Sequence, residues 1–398
     1  MLLRSLYNLS PLELKTWLTD TGQPAYRSRQ IYEALYQKDQ PDPLSWTVLP
    51  KSLRDRLSKE FSGPALEPLQ RRVSSDGTVK WLWKLSDGQA VETVMIPAAA
   101  AHPRRGISSA ARMVPPRSEE TARRTVCVST QVGCAYRCGF CASGMKGFLR
   151  DLSAGEIVQQ VVQVERYLKT EHPVPGTPGV PGTVVSRVSN IVFMGMGEPL
   201  SNYDNLIRAI RIINSPDGLK IGARKITIST VGLIPKMEQL AKEGLQLELA
   251  VSLHAPNDAI RGKLMPVNKK YPMVRLLAAC KAFVKATKRL ITFEYILIDG
   301  LNDQPEHAEE LANKLKGLFC KVNLIPCHPI HTPAAHPELV EGERPAPFRR
   351  PPEERMRAFE KKLKEKGIVA TLRQSRGLDI EGACGQLRLR QETLPPSG

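Results

Sequence analysis

The hydrophobic and polar positions along this chain divide it into two regimes. Up to about residue 70 the apolar residues recur at helical spacing in short runs, Pro11 to Leu18, Ser28 to Tyr36 and Ser52 to Phe61, separated by Asp20-Thr21-Gly22 and Gln40-Pro41-Asp42-Pro43. These predict three short amphipathic helices. Val79 to Leu85 and Ala90 to Ile96 flank Ser86-Asp87-Gly88, which predicts a β-hairpin. From about Thr125 short apolar runs alternate with helical periods: Val126 to Val128, Ile191 to Met194, Ile226 to Ser229, Leu247 to Leu253, Ile291 to Ile298, Val322 to Ile325 and Ile368 to Leu372. Strands alternating with helices imply a mainly parallel sheet. Ser153-Ala154-Gly155-Glu156 predicts a capped helix start. Another helix is expected over Pro272 to Lys285, with Val274, Leu277, Ala278 and Phe283 facing the core and Cys280 buried within it.

Three stretches break the periodicity and are rich in Pro, Gly, Ala or Arg: 98–123, 172–187 and 331–351. They read as surface loops, and His331 and His336 in the last as loop residues rather than metal ligands. The division expected is an N-terminal helical accessory unit at 1–75, a hairpin extension with insertion at 76–123, an α/β core at 124–390 and a disordered tail at 391–398.

Charge adds a partner class. Lys and Arg number 57 against 40 Asp and Glu, a net charge of +17, and several of the basic residues, such as Arg27, Arg29, Lys51, Arg54 and Arg56, sit on the first helices. That balance favours a polyanion, which charge alone leaves open between RNA, DNA and an anionic surface. Aromatic content of 6% argues against a broad base-stacking platform. No apolar run is long enough for a membrane span, and the start Met1-Leu2-Leu3-Arg4 lacks a signal-like apolar region, so a cytoplasmic protein is expected.

Eight cysteines are too few for a disulfide scaffold in 398 residues, yet Cys134, Cys138 and Cys141 fall together after a predicted strand. Three thiolates on one loop suit three irons of a [4Fe-4S] cluster, leaving the fourth iron open to a small molecule. A structural zinc site would call for a fourth ligand, for which Cys127 is the nearest thiol. A second signal is the strand Asn190 to Met194 ending in Gly195-Met196-Gly197-Glu198-Pro199. It lacks the third glycine of a dinucleotide fingerprint, but Glu198 is placed to accept from an ammonium. Polar residues end further strands: Ser229, Ser252, His254 and Asn323. In parallel barrels these ends build the active face.

The spacing of Cys134, Cys138 and Cys141, with Phe140 before the third cysteine, resembles the signature of the radical S-adenosylmethionine superfamily. Four motifs in order are similar to the ribosomal RNA adenine-C2 methyltransferases of that superfamily: Val91 to Pro97, Cys127 to Cys134, Gly195 to Pro199, and Arg376 to Gln386. The resemblance runs over most of the chain. It implies a partial (β/α)6 barrel of the TIM type with a small basic N-terminal helical domain and a β-hairpin extension. It implies a [4Fe-4S] cluster on Cys134, Cys138 and Cys141, and S-adenosylmethionine held by Gly197, Glu198, Ser229, Ser252, Leu253, His254 and Asn323.

The same resemblance implies two cofactor molecules per turnover. One methylates Cys384; a second gives a deoxyadenosyl radical that takes hydrogen from the S-methyl group, whose carbon then adds to adenine C2. Glu92 is then the base for the C2 proton, and Cys127 releases the RNA by a disulfide with Cys384. Expected substrates are 23S rRNA and tRNA, with an external flavodoxin-like electron donor and a monomeric enzyme. A departure from the family pattern is Cys327-His328 after Pro326, and the insertion at 98–123 lengthens the path from Glu92 to Cys127. The related C8 methyltransferases, a non-catalytic basic RNA-binding protein with a structural cluster, and a glycyl-radical activase are the alternatives to this reading.

Overall fold

The computed structural model describes residues 4–98, 123–171, 187–329 and 348–387. The three expected loops and the tail at 391–398 lie almost wholly or wholly outside them, and His331 and His336 with them.

The N-terminal helices are α1 (Pro11–Asp20), α2 (Arg27–Tyr32) and α3 (Lys51–Glu60). Ser10 and Glu13 form a capping box around Pro11 at the start of α1. After α2 the chain widens into a π-type turn at Glu33–Gln37, so the helix expected to reach Tyr36 changes pitch midway. Short strands β1 (Arg4–Ser5) and β2 (Phe61–Ser62) pair in parallel and close this unit. Leu14, Leu18, Ile31, Trp46, Leu53 and Leu57 fill it.

Next come β3 (Glu67–Val73), β4 (Val79–Lys84) and β5 (Ala90–Pro97), an antiparallel meander. The β4–β5 hairpin follows the alternation in the sequence, but β3 had no such signature because most of its residues are exposed. β5 pairs antiparallel with β6 (Arg124–Cys127), Val94 opposite Cys127, so the meander continues directly into the core sheet.

The core strands β6, β9 (Asn190–Phe193), β10 (Ile226–Thr230), β11 (Glu248–Ser252), β12 (Ile291–Leu297), β13 (Cys320–Pro326) and β14 (Val369–Leu372) are parallel neighbours in that order. Between β6 and β9 lie the hairpin β7 (Gln131–Gly133) and β8 (Phe148–Asp151), then α4 (Ala154–Glu171). The other crossovers are α5 (Tyr203–Asn214), α6 (Ile234–Leu240), the pair α7 (Asp258–Leu264) and α8 (Met273–Thr287), α9 (Pro305–Leu315) and α10 (Glu353–Glu365). Six strand–helix units with β14 as a seventh strand make an α/β partial barrel, as expected. Every residue of β12, Ile-Thr-Phe-Glu-Tyr-Ile-Leu, is buried, which suits a central parallel strand covered on both faces.

The Ser153 cap is observed: Glu156 N–H donates to Ser153 Oγ at 3.2 Å and Ser153 N–H to Glu156 Oε2 at 2.8 Å. The expected core stripe of α8 is corrected. Val274 is 74% exposed and Ala278 is exposed, whereas Met273, Leu276, Ala279, Cys280 and Phe283 are buried. Phe283 and Cys280 are buried as expected, while Met273, Leu276 and Ala279 take the buried places expected of Val274 and Ala278.

Candidate active site

The three-cysteine loop spans the β7–β8 hairpin and is shaped by backbone that only glycine fits. Gly133 has φ 77°, and a Cβ there would sit 2.0 Å from the Gly147 carbonyl oxygen, which itself accepts from Cys134 N–H at 2.9 Å. The loop is pinned to α7 by Gly139 N–H donating to Leu264 O at 2.9 Å. It is pinned to the C-terminal segment by Ala142 N–H to Gly385 O at 2.7 Å and Ser143 Oγ to Leu387 O at 2.8 Å.

Burial pushes the Cys134 thiol up to about 12, and Cys141 adds to the effect. Burial also raises Cys138, with Cys141 and Cys134 repelling its thiolate, and raises Cys141 against the hydrogen bonds of Ser143. Three desolvated, mutually repelling thiols fit a group that supplies positive charge to each sulfur, as cluster irons do. Among the described residues no three His, Cys, Asp or Glu side chains converge on a point suited to one metal ion. A cluster makes no such demand, since each of its irons takes its own thiolate. Cys127 lines the cavity described below, whose lining includes none of the three loop cysteines.

Beside the loop, the polar strand ends come together. The Gly195–Gly197 turn after β9 presses on its own chain: a Cβ at Gly195 would lie 2.7 Å from Ser129 N, and one at Gly197, φ 99°, 2.5 Å from Gln131 Cβ. Glycine is therefore needed for internal packing as well as for any ligand approach. Glu198 is buried, with Leu200 N–H donating to one carboxylate oxygen at 3.1 Å and Val231 N–H to the other at 2.8 Å. Desolvation outweighs these bonds and moves its carboxyl up to about 7.

His254 follows β11 with φ 58° and is buried, with its ring edge against Phe140 at 4.5 Å between centroids. Its Nδ1 accepts Ile296 N–H at 2.9 Å, which leaves the ring proton on Nε2, and burial lowers its pKa to about 3. Leu253 is buried beside it, and Ser229 and Ser252 are half-buried at the ends of β10 and β11. Across the sheet Ser252, Glu294 and Asn323 stand level, each opposite the next.

Sequence reasoning passed over three residues here. Glu294 sits in β12 between Ser252 and Asn323; Asn323 Nδ2 donates to its Oε1 at 3.0 Å, while its buried Oε2 has no hydrogen-bond partner. A buried carboxylate oxygen without a partner, level with two polar strand ends, suits a ligand bearing hydroxyl or amino groups, such as S-adenosylmethionine. The signal was a glutamate inside an apolar strand. Arg261 is fully buried and ties the ends of β10 and β11 through Val231 O at 2.9 Å and Ser252 O at 3.3 Å. Arg373, just past β14, is the third.

Arg373 lines a cavity of about 60 Å³ together with Cys127, Met194, Ile96, His328 and Cys384. Cys127, at the end of β6, is buried; Cys384 is exposed, and both are free thiols. Burial, then Cys384, pushes the Cys127 thiol far above its ordinary range. The Arg373 guanidinium is in turn held charged chiefly by Cys384, against the cost of burial, with Glu294 contributing. Glu92 is not among the residues lining that cavity. It is buried on β5 on the same face as Ile96, two residues before Val94, which stands opposite Cys127. Its Oε1 lies 2.9 Å from Lys80 Nζ.

Thus two thiols far apart in the sequence, Cys127 and Cys384, share a cavity next to a three-thiol loop, beside a row of polar strand ends. Residues 183–314 match the Radical SAM superfamily model. A probable dual-specificity RNA methyltransferase RlmN of Geobacillus kaustophilus is 44% identical over 98% of this chain and 93% of its own length. One from Bacillus cereus is 43% identical over 97% of this chain and 94% of its own. The chain belongs to the RlmN family of radical SAM enzymes. A crystal structure of a radical SAM methyltransferase from Sphaerobacter thermophilus, 44% identical, superposes with a TM-score of 0.81 over 97% of this chain and 99% of that one. Membership in this RlmN family carries its cofactors, a [4Fe-4S] cluster and S-adenosylmethionine. Among the described residues no helix is long and apolar enough to cross a membrane.

Proposed function

We propose that this chain is a methyltransferase that places a methyl group on C2 of adenine in 23S rRNA and in tRNA. The observation that carries this reading is the pairing of Cys127 and Cys384 on one cavity next to the three-cysteine loop. A structural cluster in an RNA-binding protein has no use for two further thiols so placed, and neither has a glycyl-radical activase.

Cys134, Cys138 and Cys141 hold the cluster, and Gly197, Glu198, Ser229, Ser252, Leu253, His254 and Asn323 surround the sulfonium cofactor, with Glu294 as an added polar contact. When bound, that pair supplies a methyl group and, on one-electron reduction by an external flavodoxin-like donor, a carbon-centred radical.

The chain's own residues divide the remaining work. Cys384 is exposed and lines the cavity together with Arg373, which leaves its sulfur open to accept a methyl group. Cys127, buried and held protonated, does not compete for that methyl. After the Cys384-borne carbon has bonded to adenine, Glu92 takes the C2 proton. By then the adduct, formed as a radical, would have returned one electron to the bound cluster. Cys127 gives up its proton and attacks the Cys384 sulfur, so that a disulfide forms while the departing carbon keeps the electron pair of the broken sulfur–carbon bond and takes up a proton to become the methyl group. The basic N-terminal unit at 1–75 serves RNA binding, and the enzyme acts as a cytoplasmic monomer.

Anaerobically reconstituted enzyme incubated with ribosomal and transfer RNA fragments should yield 2-methyladenosine by nucleoside mass spectrometry. Recovery of 8-methyladenosine instead would move the chain to the C8 class, and recovery of neither would refute the assignment.

A further inference from the structure

The cofactor and thiol chemistry leaves the buried ammonium of Lys80 without a task. Lys80 lies on β4 with its side chain 9% exposed, and its Nζ is 2.9 Å from Glu92 Oε1. The same ammonium donates to the backbone carbonyl of Glu381 at 3.2 Å, three residues before Cys384 and 301 residues along the chain from Lys80. One side chain therefore touches both the carboxylate read above as the base and the loop that carries the methyl-bearing thiol.

That loop has further holds on the same hairpin. Ser74 Oγ donates to Asp379 Oδ1 at 2.6 Å, Ser75 N–H to Asp379 Oδ2 at 3.1 Å, and Gly377 N–H to Asp76 Oδ2 at 3.0 Å. Gly377 adopts φ 62°, with Thr78 Cγ2 only 2.9 Å from where a Cβ would be. At its far end the loop rests on the cluster loop through Gly385 and Leu387. The β3–β4 turn and the cluster loop thus grip the Cys384 loop from either side, and the Lys80 grip also reaches Glu92.

A buried ion pair is poor evidence for stability, because apolar side chains of similar size fill such a site as well or better. Lys80 nevertheless fixes two groups that must meet one substrate atom in a set relation, and small errors in such placement are costly in rate.

We propose that Lys80 is a positioning residue that ties the Glu92 carboxylate to the Cys384 loop, so that proton acceptor and thiol-borne carbon are presented to the adenine together. The proposal rests on the roles given to Glu92 and Cys384 under Proposed function. Lys80 acts on the step that needs both, release of RNA from the covalent adduct. Methylation of Cys384 needs only the thiol and the cofactor, and the remaining grips keep the loop in place for it.

The test uses reconstituted holoenzyme and follows three signals: Cys384 S-methylation by intact mass, protein–RNA adduct on denaturing gels, and released methyladenosine. In Lys80→Met, release should fall by about 100-fold and adduct accumulate, while Cys384 methylation stays within about threefold of wild type. Lys80→Arg should restore most of the release. Release at the wild-type rate in Lys80→Met, a parallel fall in methylation and release, or failure of the arginine variant to rescue would each overturn the proposal. Glu92→Gln, run alongside, separates the two readings. If it traps adduct while Lys80→Met does not, Glu92 is the base and Lys80 does not position it; if it turns over freely, the role given to Glu92 falls first.

Should Lys80→Met not fold, Asp379→Asn probes the same grip from the exposed side of the loop. Cys384 alkylation and hydrogen exchange at residues 376–387 should quicken by about tenfold in it, and unchanged rates would overturn the gripping arrangement.

Discussion

At the scale of single residues, the two thiols of the cavity differ in exposure: Cys384 is exposed, whereas Cys127 is buried and its thiol is pushed up by that burial. Cys384→Ala should abolish methylation and leave no crosslink, whereas Cys127→Ala should accumulate RNA bound covalently to Cys384; denaturing gels with labelled RNA read both outcomes. Normal turnover by Cys127→Ala would end this division of labour. His254 and Glu198 offer a second residue-scale test, on stability. His254 titrates near 3 when folded, below its unfolded value, so its contribution is complete above about 6.5 and is lost as pH falls. By pH 5 that loss is about 2 kcal/mol. Glu198 has the opposite sign: with a folded value near 7, above its unfolded one, it withdraws stability as pH rises from about 4.5 to 7. Denaturant unfolding of cofactor-free protein at pH 5 and 7 should therefore show His254→Gln raising, and Glu198→Gln lowering, the stability at pH 5 relative to that at pH 7.

At the scale of elements, α8 shows how a helix can be foreseen while its buried face is misjudged. The apolar residues of Met273–Thr287 occupy more of its circumference than one stripe, so periodicity alone does not choose between the face through Val274 and Ala278 and the face through Leu276, Ala279 and Cys280. Packing decides, since a Cβ at Gly232 would come within 2.7 Å of Leu276 Cδ1. Val274→Lys should change unfolding free energy by less than about 0.5 kcal/mol. Leu276→Ala should cost about 2–5 kcal/mol, measured in the same denaturant titration. By the same logic β3 escaped the sequence reading. Its exposed residues carry no alternation of burial, and it is a strand because β4 pairs with it.

For the whole molecule, the net charge of +17 acts through its long-range field rather than through any one contact. If RNA is the partner, affinity should fall steeply with salt, by about 10³-fold or more between 50 and 200 mM if six or more phosphates are engaged. Filter binding of an unmodified RNA fragment across a salt series checks this, and a flat profile would mean that the basic surface does not serve the RNA. Legibility in the sequence tracked the range of the interactions. The three-cysteine loop, the capping box at Ser153 and the alternation of strands with helices depend on residues within a few positions of one another, and periodicity or spacing displays them directly. The shared cavity of Cys127 and Cys384 was available only through resemblance to a family. Nothing in the residues around Lys80 announced the carbonyl of Glu381, and Glu294 was hidden in a strand whose type was foreseen. What the chain determined alone was its local chemistry and the order of its elements, because backbone preference and side-chain period act over one or two turns. The pairing of β5 with β6 and of β11 with β12, and the docking of a C-terminal loop on an N-terminal hairpin, were decided by tertiary packing, because contacts between residues far apart along the chain have no local trace.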